Sequence, residues 1–490
     1  MFTRILAALA ATVVLAAMAG PAEARWIRAE SPRFIVYSDG DDQVLRTYVA
    51  DLEIFDDLLR FRHGMPTGGL PPRKLELYLV ANSNSLRRVA PGMGDGIGGF
   101  YSASLGDIFA VAIRTRGDNN VIQHEYVHHF MLQYFPTAYP AWLVEGYAEY
   151  FDTAKVGKSQ VEVGKWSEGR VLELQYLGWA SWDDVLAKSF WELPAQQQQT
   201  FYGQSWVLTH YMMSDPGRYQ KLLAYMKTVA AGGHPAKTMY EVLGTDAERL
   251  ERTLRDYLKG GLKYTQYTRS GFADPKIEIT TLPPSADDLL LEAQQLKSGG
   301  IPEKETDKLL AMIRERAAKY PGDRLATLTL ARAEFRLGDW SKGKTLLDGW
   351  LTANPKDGAA LQLMGTAMVD KAYKDDLEGE ALRASFLDAR KFLARSHAAE
   401  PDNFRTLFYF TQTQQFERDY PNDNTMDVID ICFNLAPQVD DVRLLYGRAL
   451  MRNRRWAEAE IVLGPVANDP HGGGAAGVAQ GLLRQIKANR

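Results

Sequence analysis

Prolines able to close a helix recur at Pro321, Pro355, Pro401, Pro437 and Pro470, at intervals of 34, 46, 36 and 33 residues. Proline has no amide hydrogen to continue a helix and its ring clashes with the preceding turn, so each one marks a helix end. A pair of helices with a tight turn fills roughly 34 residues. One such pair cannot bury its apolar face alone and must stack on the next. The spacing therefore predicts an all-α array over residues 286–490.

The units themselves carry the same message. LARAEFRLGDWSKGKTLLDGWLTANP places a Gly338-Asp339-Trp340 turn between two helices and ends on Pro355. The next unit has Leu361, Met364 and Gly365, and the last has Gly447, Trp456 and Ala459. This pattern resembles the tetratricopeptide repeat, which implies a solenoid whose concave face binds protein or peptide, here a protein of the cell envelope. Cys432, the single cysteine, sits among apolar residues at helical spacing and reads as a core thiol.

The preceding half differs. RFIVYS (33–38) and KLELYLV (74–80) read as strands, residues 44–60 as the helix between them, and 99–104 with 107–113 as a hairpin turned at Leu105 and Gly106. Prolines 275, 283 and 284 make residues 271–285 read as a linker. Residues 1–24 pair Arg4 with an apolar run over 5–19 and small residues at Ala22 and Ala24, the pattern of a signal peptide cleaved after Ala24. No later stretch is long and apolar enough to span a bilayer, so a periplasmic or extracellular protein is expected. Lys and Arg (57) nearly balance Asp and Glu (61), which leaves no basic field for nucleic acid. GDGIGG (94–99) precedes a strand where a dinucleotide site needs a helix, so it reads as a loop. Gln196 to Gln199 reads as a loop before a helix.

Chemistry concentrates in NNVIQHEYVHHFMLQYF, where Asp118, Asn119 or Asn120 can cap a helix. On that helix His124 and His128 share one face, with Glu125 beside them, and two neutral imidazoles suit Zn2+. His129 points off this face and reads as a surface or supporting residue. Seventeen residues beyond His128, PAWLVEGYAEY starts a second helix with Glu145 and Glu149.

These segments resemble the gluzincin metallopeptidases, above all zinc aminopeptidases with a W-L-x-E-G helix. The resemblance implies an α+β zincin-like domain over 25–270, with His124, His128 and Glu145 as metal ligands and Glu125 as general base. It implies also that Glu149 supports a zinc-bound imidazole and that Tyr202, in FYGQSWVL, stabilises the transition state, although Ser205 replaces a glycine there. Three protein ligands leave a fourth position open to water, the arrangement of catalytic zinc. An edge strand beside the cleft pairs with extended substrate in this architecture, and Ile108–Ile113 is the candidate. Gly98-Gly99-Phe100-Tyr101-Ser102 stands where the aminopeptidases capture the substrate amine and holds no acid, so an endopeptidase is expected. Closest in pattern are the bacterial peptidase MA-like proteins, over residues 30–265. The alternative is a non-catalytic envelope scaffold working through its repeats. Periplasmic zinc proteases with tetratricopeptide repeats are a further rival, but their third glutamate lies in an E-x-x-A-D setting that Glu145 to Glu149 echoes only loosely.

Overall fold

The structure, a computed structural model, describes residues 26–94, 96–114, 120–468 and 474–489. Residues 1–25, with the expected signal peptide, and Asp118, Asn119 and Pro470 lie outside them. The chain begins with β1 (Ile27–Glu30), β2 (Phe34–Ser38), α1 (Asp42–Arg62), β3 (Leu75–Val80), α2 (Ser83–Val89), β4 (Gly99–Ala103) and β5 (Ile108–Ile113). Helices α3 (Asn120–Tyr134) and α4 (Ala141–Asp152), strands β6 (Lys155–Val156) and β7 (Gln160–Val163), and helices α5 (Glu168–Tyr176) and α6 (Trp182–Ala187) follow. Next come α7 (Ala195–Met213), α8 (Pro216–Ala230), α9 (Pro235–Leu243), α10 (Ala247–Lys259), β8 (Thr265–Thr268) and β9 (Glu278–Thr281). Gln196 to Gln199 belong to the first turns of α7 rather than to a loop: Pro194 enters the helix and its carbonyl accepts the Gln197 and Gln198 amides.

Six strands form one sheet in the order β4-β5-β3-β2-β1-β9. β2, β3 and β5 run parallel, connected through α1 and α2, while β1, β4 and β9 are antiparallel to their neighbours. The 271–285 stretch is thus not simply a tether, because β9 pairs with β1 from Ile27 with Thr281 to Glu30 with Glu278. IFAVAI in β5 is almost continuously buried, as a strand covered on both faces must be. One face packs on α1, α3 and α4. The other is covered by α2 and by α11 (Ser285–Ser298), whose Ala286, Leu290 and Leu291 join Tyr78, Val80, Phe109 and Val111. The first helix of the second half therefore completes the core of the first half.

From there the chain is a helical array: α12 (Thr306–Ala317), α13 (Arg324–Leu337), α14 (Trp340–Ala353), α15 (Gly358–Lys374), α16 (Gly379–Ala399), α17 (Phe404–Gln412), α18 (Asp423–Leu435), α19 (Asp440–Arg452), α20 (Trp456–Ala467) and α21 (Gly474–Asn489). Successive helices pack as pairs, α13 on α14, α15 on α16, α17 on α18 and α19 on α20. The 46-residue interval arises because α15 and α16 are 17 and 21 residues long. Asp339 caps α14 by accepting the Ser341 amide at 2.8 Å. Gly365 and Gly447 let helices approach: an added Cβ would lie 2.7 Å from Leu393 and 2.5 Å from Leu463 respectively. Cys432 is buried, and burial pushes its thiol up to about 12, as a core thiol requires. The array also folds back on the sheet domain, with Gln438 donating to Gln133 at 2.8 Å and Arg73 lying over the Phe404 ring. Among the described residues no helix is long and apolar enough to cross a membrane.

Two features tie α1 to α3. Arg33 is buried with Glu53, Asp56 and Asp57 at 2.5, 2.7 and 2.6 Å, Arg60 pairs with Asp56 at 2.6 Å, and Tyr126 donates to Asp56 at 2.5 Å. His63, at the end of α1, lies 2.6 Å from the Tyr147 hydroxyl and against Phe130 and Phe135. Burial, with Arg62 adding repulsion, lowers His63 to about 4, and burial with Arg73 lowers His129 to about 3. Both folded values lie below the unfolded one, so the native state binds fewer protons. The stability they contribute is full above pH about 6.5 and is lost as pH falls towards 4 and below. Going from pH 7 to pH 5 is expected to cost about 2 kcal/mol per histidine, and His63→Phe should flatten this slope in urea titrations at the two pH values.

Candidate metal centre

α3 starts at Asn120 and carries HEYVH through its second and third turns, which stacks His124 over His128 with ring centroids 4.9 Å apart. α4 starts after Pro140, whose fixed φ suits a helix entry, and presents Glu145 to the same spot. Glu145 Oε2 lies 3.2 Å from His124 Nε2 and 3.7 Å from His128 Nε2. Three ligand atoms, one from each residue, fall within 4.8 Å of one another. Atoms bound to one tetrahedral zinc at about 2.0–2.1 Å are separated by roughly 3.4 Å, so the donor set fits Zn2+ in chemistry and in spacing.

Carboxylates crowd the cluster. Burial pulls the His124 imidazole down, but its hydrogen bond to Glu145 and the charges of Glu145, Glu125 and Glu149 outweigh this and raise it to about 10. Burial raises Glu125 to about 7, helped by Glu145 and opposed by His124 and by the Tyr101 backbone amide. That amide is available for a topological reason. Ile113 donates to Gly98 and Ser104 to Asp107, so by alternation Phe100 and Ser102 bond to β5 while Gly99, Tyr101 and Ala103 turn their main chain outward. The free edge beside the site is accordingly β4. Ile108–Ile113, the expected edge, is an interior strand between β4 and β3, because the hairpin returns on the outer side.

Glu149 lies 3.7 Å from His124 Nδ1, beyond hydrogen-bond length, and is held by Arg170 through Nε at 2.8 Å and Nη2 at 2.7 Å. Arg170 also reaches Glu173 at 2.8 Å and lies 5.1 Å over the Tyr202 ring. Sequence reasoning missed Arg170, since nothing in SEGRVLEL separates it from a solvated helix face. Tyr202, on α7, packs against Phe190 and Phe201. Burial and the charges of Glu145, Glu149 and Glu125 push its phenol well up, with Arg170 opposing, so its hydroxyl stays protonated. His129 is not at the surface: it is 4% exposed and its Nδ1 lies 3.2 Å from the Tyr101 hydroxyl.

Gly146 explains the glycine after Glu145. α4 and α7 cross there so closely that a Cβ would lie 2.3 Å from the Ser205 carbonyl oxygen and 2.4 Å from Thr209 Oγ1. Neither backbone can yield without parting the helices. Gly146→Ala is expected to cost about 2–3 kcal/mol, read from the urea midpoint, and to displace Glu145 from the two histidines.

Fold and site together define a mixed α/β domain with a His, His, Glu cluster, joined to an array of helix pairs. Residues 119–233, which hold that cluster, match the family model described as "Protein of unknown function (DUF1570)". No curated protein matches the chain. Among solved structures, a thermophilic TPR protein of Thermus thermophilus is 15% identical, covering 42% of this chain and 99% of its own at a TM-score of 0.32. MamA of Desulfovibrio magneticus RS-1 is 14% identical, covering 42% of this chain and 96% of its own at a TM-score of 0.27.

Proposed function

We propose that the chain is an exported zinc-dependent peptidase of gluzincin type, an endopeptidase acting in the periplasm or outside the cell, with its helical array recruiting substrate or an envelope partner. The observation that carries this reading is the placing of Glu145 Oε2 at 3.2 and 3.7 Å from two imidazole nitrogens. A zinc ion bound there would supply a Lewis acid for a carbonyl and acidify water. His124, His128 and Glu145 would hold it. Glu125, poised near neutrality, accepts a proton from water and returns it to the leaving amine. Tyr202 keeps its proton and can donate to a developing oxyanion. Arg170 fixes the Glu149 carboxylate beside His124, which limits how that ring can turn. The outward main chain of β4 offers an extended peptide a strand to pair with.

Zinc per chain, measured on mature protein purified without added metal, tests the reading. About one zinc in the parent and little in His128→Ala is expected for a three-ligand site. No zinc after reconstitution would overturn it. A second reading, a non-catalytic envelope scaffold, is favoured by the array of helix pairs from α13 to α20. It predicts that Glu125→Gln leaves cellular function intact.

A further inference from the structure

Strands β6, β7 and β8 form a second, smaller sheet in that order. Val163 pairs with Thr265, so the chain leaves β7 and enters β8 at the same end of it. Trp166 and Tyr264, just beyond that pair, wall a cleft of about 670 Å³ that the end of α4, β6 and the start of α5 complete. Trp166 is 65% exposed and Tyr264 48%. The Trp166 segment is nonetheless anchored. The Gly164 carbonyl accepts from the buried His210 Nε2 at 2.9 Å, and Val161 and Val163 of β7 belong to the core. Held this way, the indole forgoes the gain of burial. Single exposed apolar side chains are ordinary, but two aromatic rings in one concave cleft form a patch of the kind that ligands occupy.

The charges in the cleft balance, with the ammoniums of Lys155 and Lys165 set against the carboxylates of Asp152 and Glu168. Lys165 also pairs with Glu162 at 2.5 Å and lies 5.3 Å over the Tyr264 ring, which leaves Trp166 as the chief exposed ring. An anion would meet Asp152 and Glu168, and a cation would meet Lys155 and Lys165, so a strongly charged ligand gains nothing here. A hydroxyl group suits both signs, because it donates to a carboxylate and accepts from an ammonium.

We propose that this cleft binds a neutral oligosaccharide of β-linked hexopyranose units. One sugar ring stacks its C–H face on Trp166, and its hydroxyls bond to Asp152, Glu168, Lys155 and Lys165. A pyranose with equatorial substituents has an apolar face of axial hydrogens and a polar rim, the complement of an aromatic plane set among mixed charges. The site uses none of the three residues proposed to hold zinc, and binding does not depend on turnover.

Isothermal titration calorimetry of the full chain tests it with cellotetraose and chitotetraose, both neutral and β-linked, and with hexathymidylate as an anion that also stacks on aromatic rings. Saturable binding of at least one tetrasaccharide and none of hexathymidylate is expected, with a blue shift of tryptophan emission as Trp166 leaves water. Trp166→Ala should weaken binding at least about tenfold, the scale of a lost aromatic contact, and Trp166→Phe, which keeps a ring, should weaken it less. Because Trp166 is exposed, the alanine variant should keep the parent's thermal midpoint, which separates lost binding from lost fold. Trp191→Ala, which removes an exposed tryptophan outside the cleft, should bind as the parent does. Binding of neither sugar, binding of hexathymidylate in their place, or undiminished sugar binding by Trp166→Ala overturns the proposal.

Discussion

Glu125→Gln is expected to retain zinc and to lose about 10³-fold in hydrolysis, the scale of a missing general base. Glutamine keeps the size and polarity of the side chain and leaves His124, His128 and Glu145 in place, so zinc per chain should match the parent. What disappears is a proton acceptor that burial holds at about 7, close to the pH at which it must both take and return a proton. The measurement is the appearance of new termini in a proteome-derived peptide library, followed by mass spectrometry. Unchanged cleavage with zinc retained would remove Glu125 from the chemistry. Cleavage by neither protein, with zinc bound in both, would favour the scaffold reading.

Asp56→Ala is expected to destabilise the sheet domain by about 3–5 kcal/mol, the cost of leaving buried charges without their partner. Asp56 is fully buried and is shared by Arg33, Arg60 and Tyr126. Its removal strands the Arg60 guanidinium, takes from Arg33 one of its three carboxylates, and strands the hydroxyl of Tyr126, which separates Glu125 from Val127 in the HEYVH helix. Chemical denaturation reads the loss directly. Zinc affinity should fall with it, since α3 loses one of its two ties to α1. Asp56→Asn, which keeps the shape, should cost less, and an equal cost would point to packing rather than charge.

Much of this was legible in the chain. The HEYVH spacing put two imidazoles on one helix face because 3.6 residues per turn leaves no other result, and the WLVEG segment resembles a ligand helix closely enough to single out Glu145. The β4–β5 hairpin and the turn at Gly338 to Trp340 follow from local chemistry. Other features had no local signal. Arg170 is ordinary in its own helix and matters only because α5 lies across Glu149. The 271–285 stretch is rich in proline, yet residues within it pair with β1, some 250 positions earlier, because an open sheet edge remained to be covered.

The sequence by itself determined most of the elements and the residue types gathered at the candidate site, because helical period, proline punctuation and imidazole chemistry act over a few residues. Only the tertiary structure decided which strand is the edge, that α11 seals the second face of the sheet, and that Trp166 and Tyr264, from separate segments, wall one cleft. Those outcomes depend on contacts between distant parts of the chain, where the burial of apolar surface chooses the partners and charges are carried along with it.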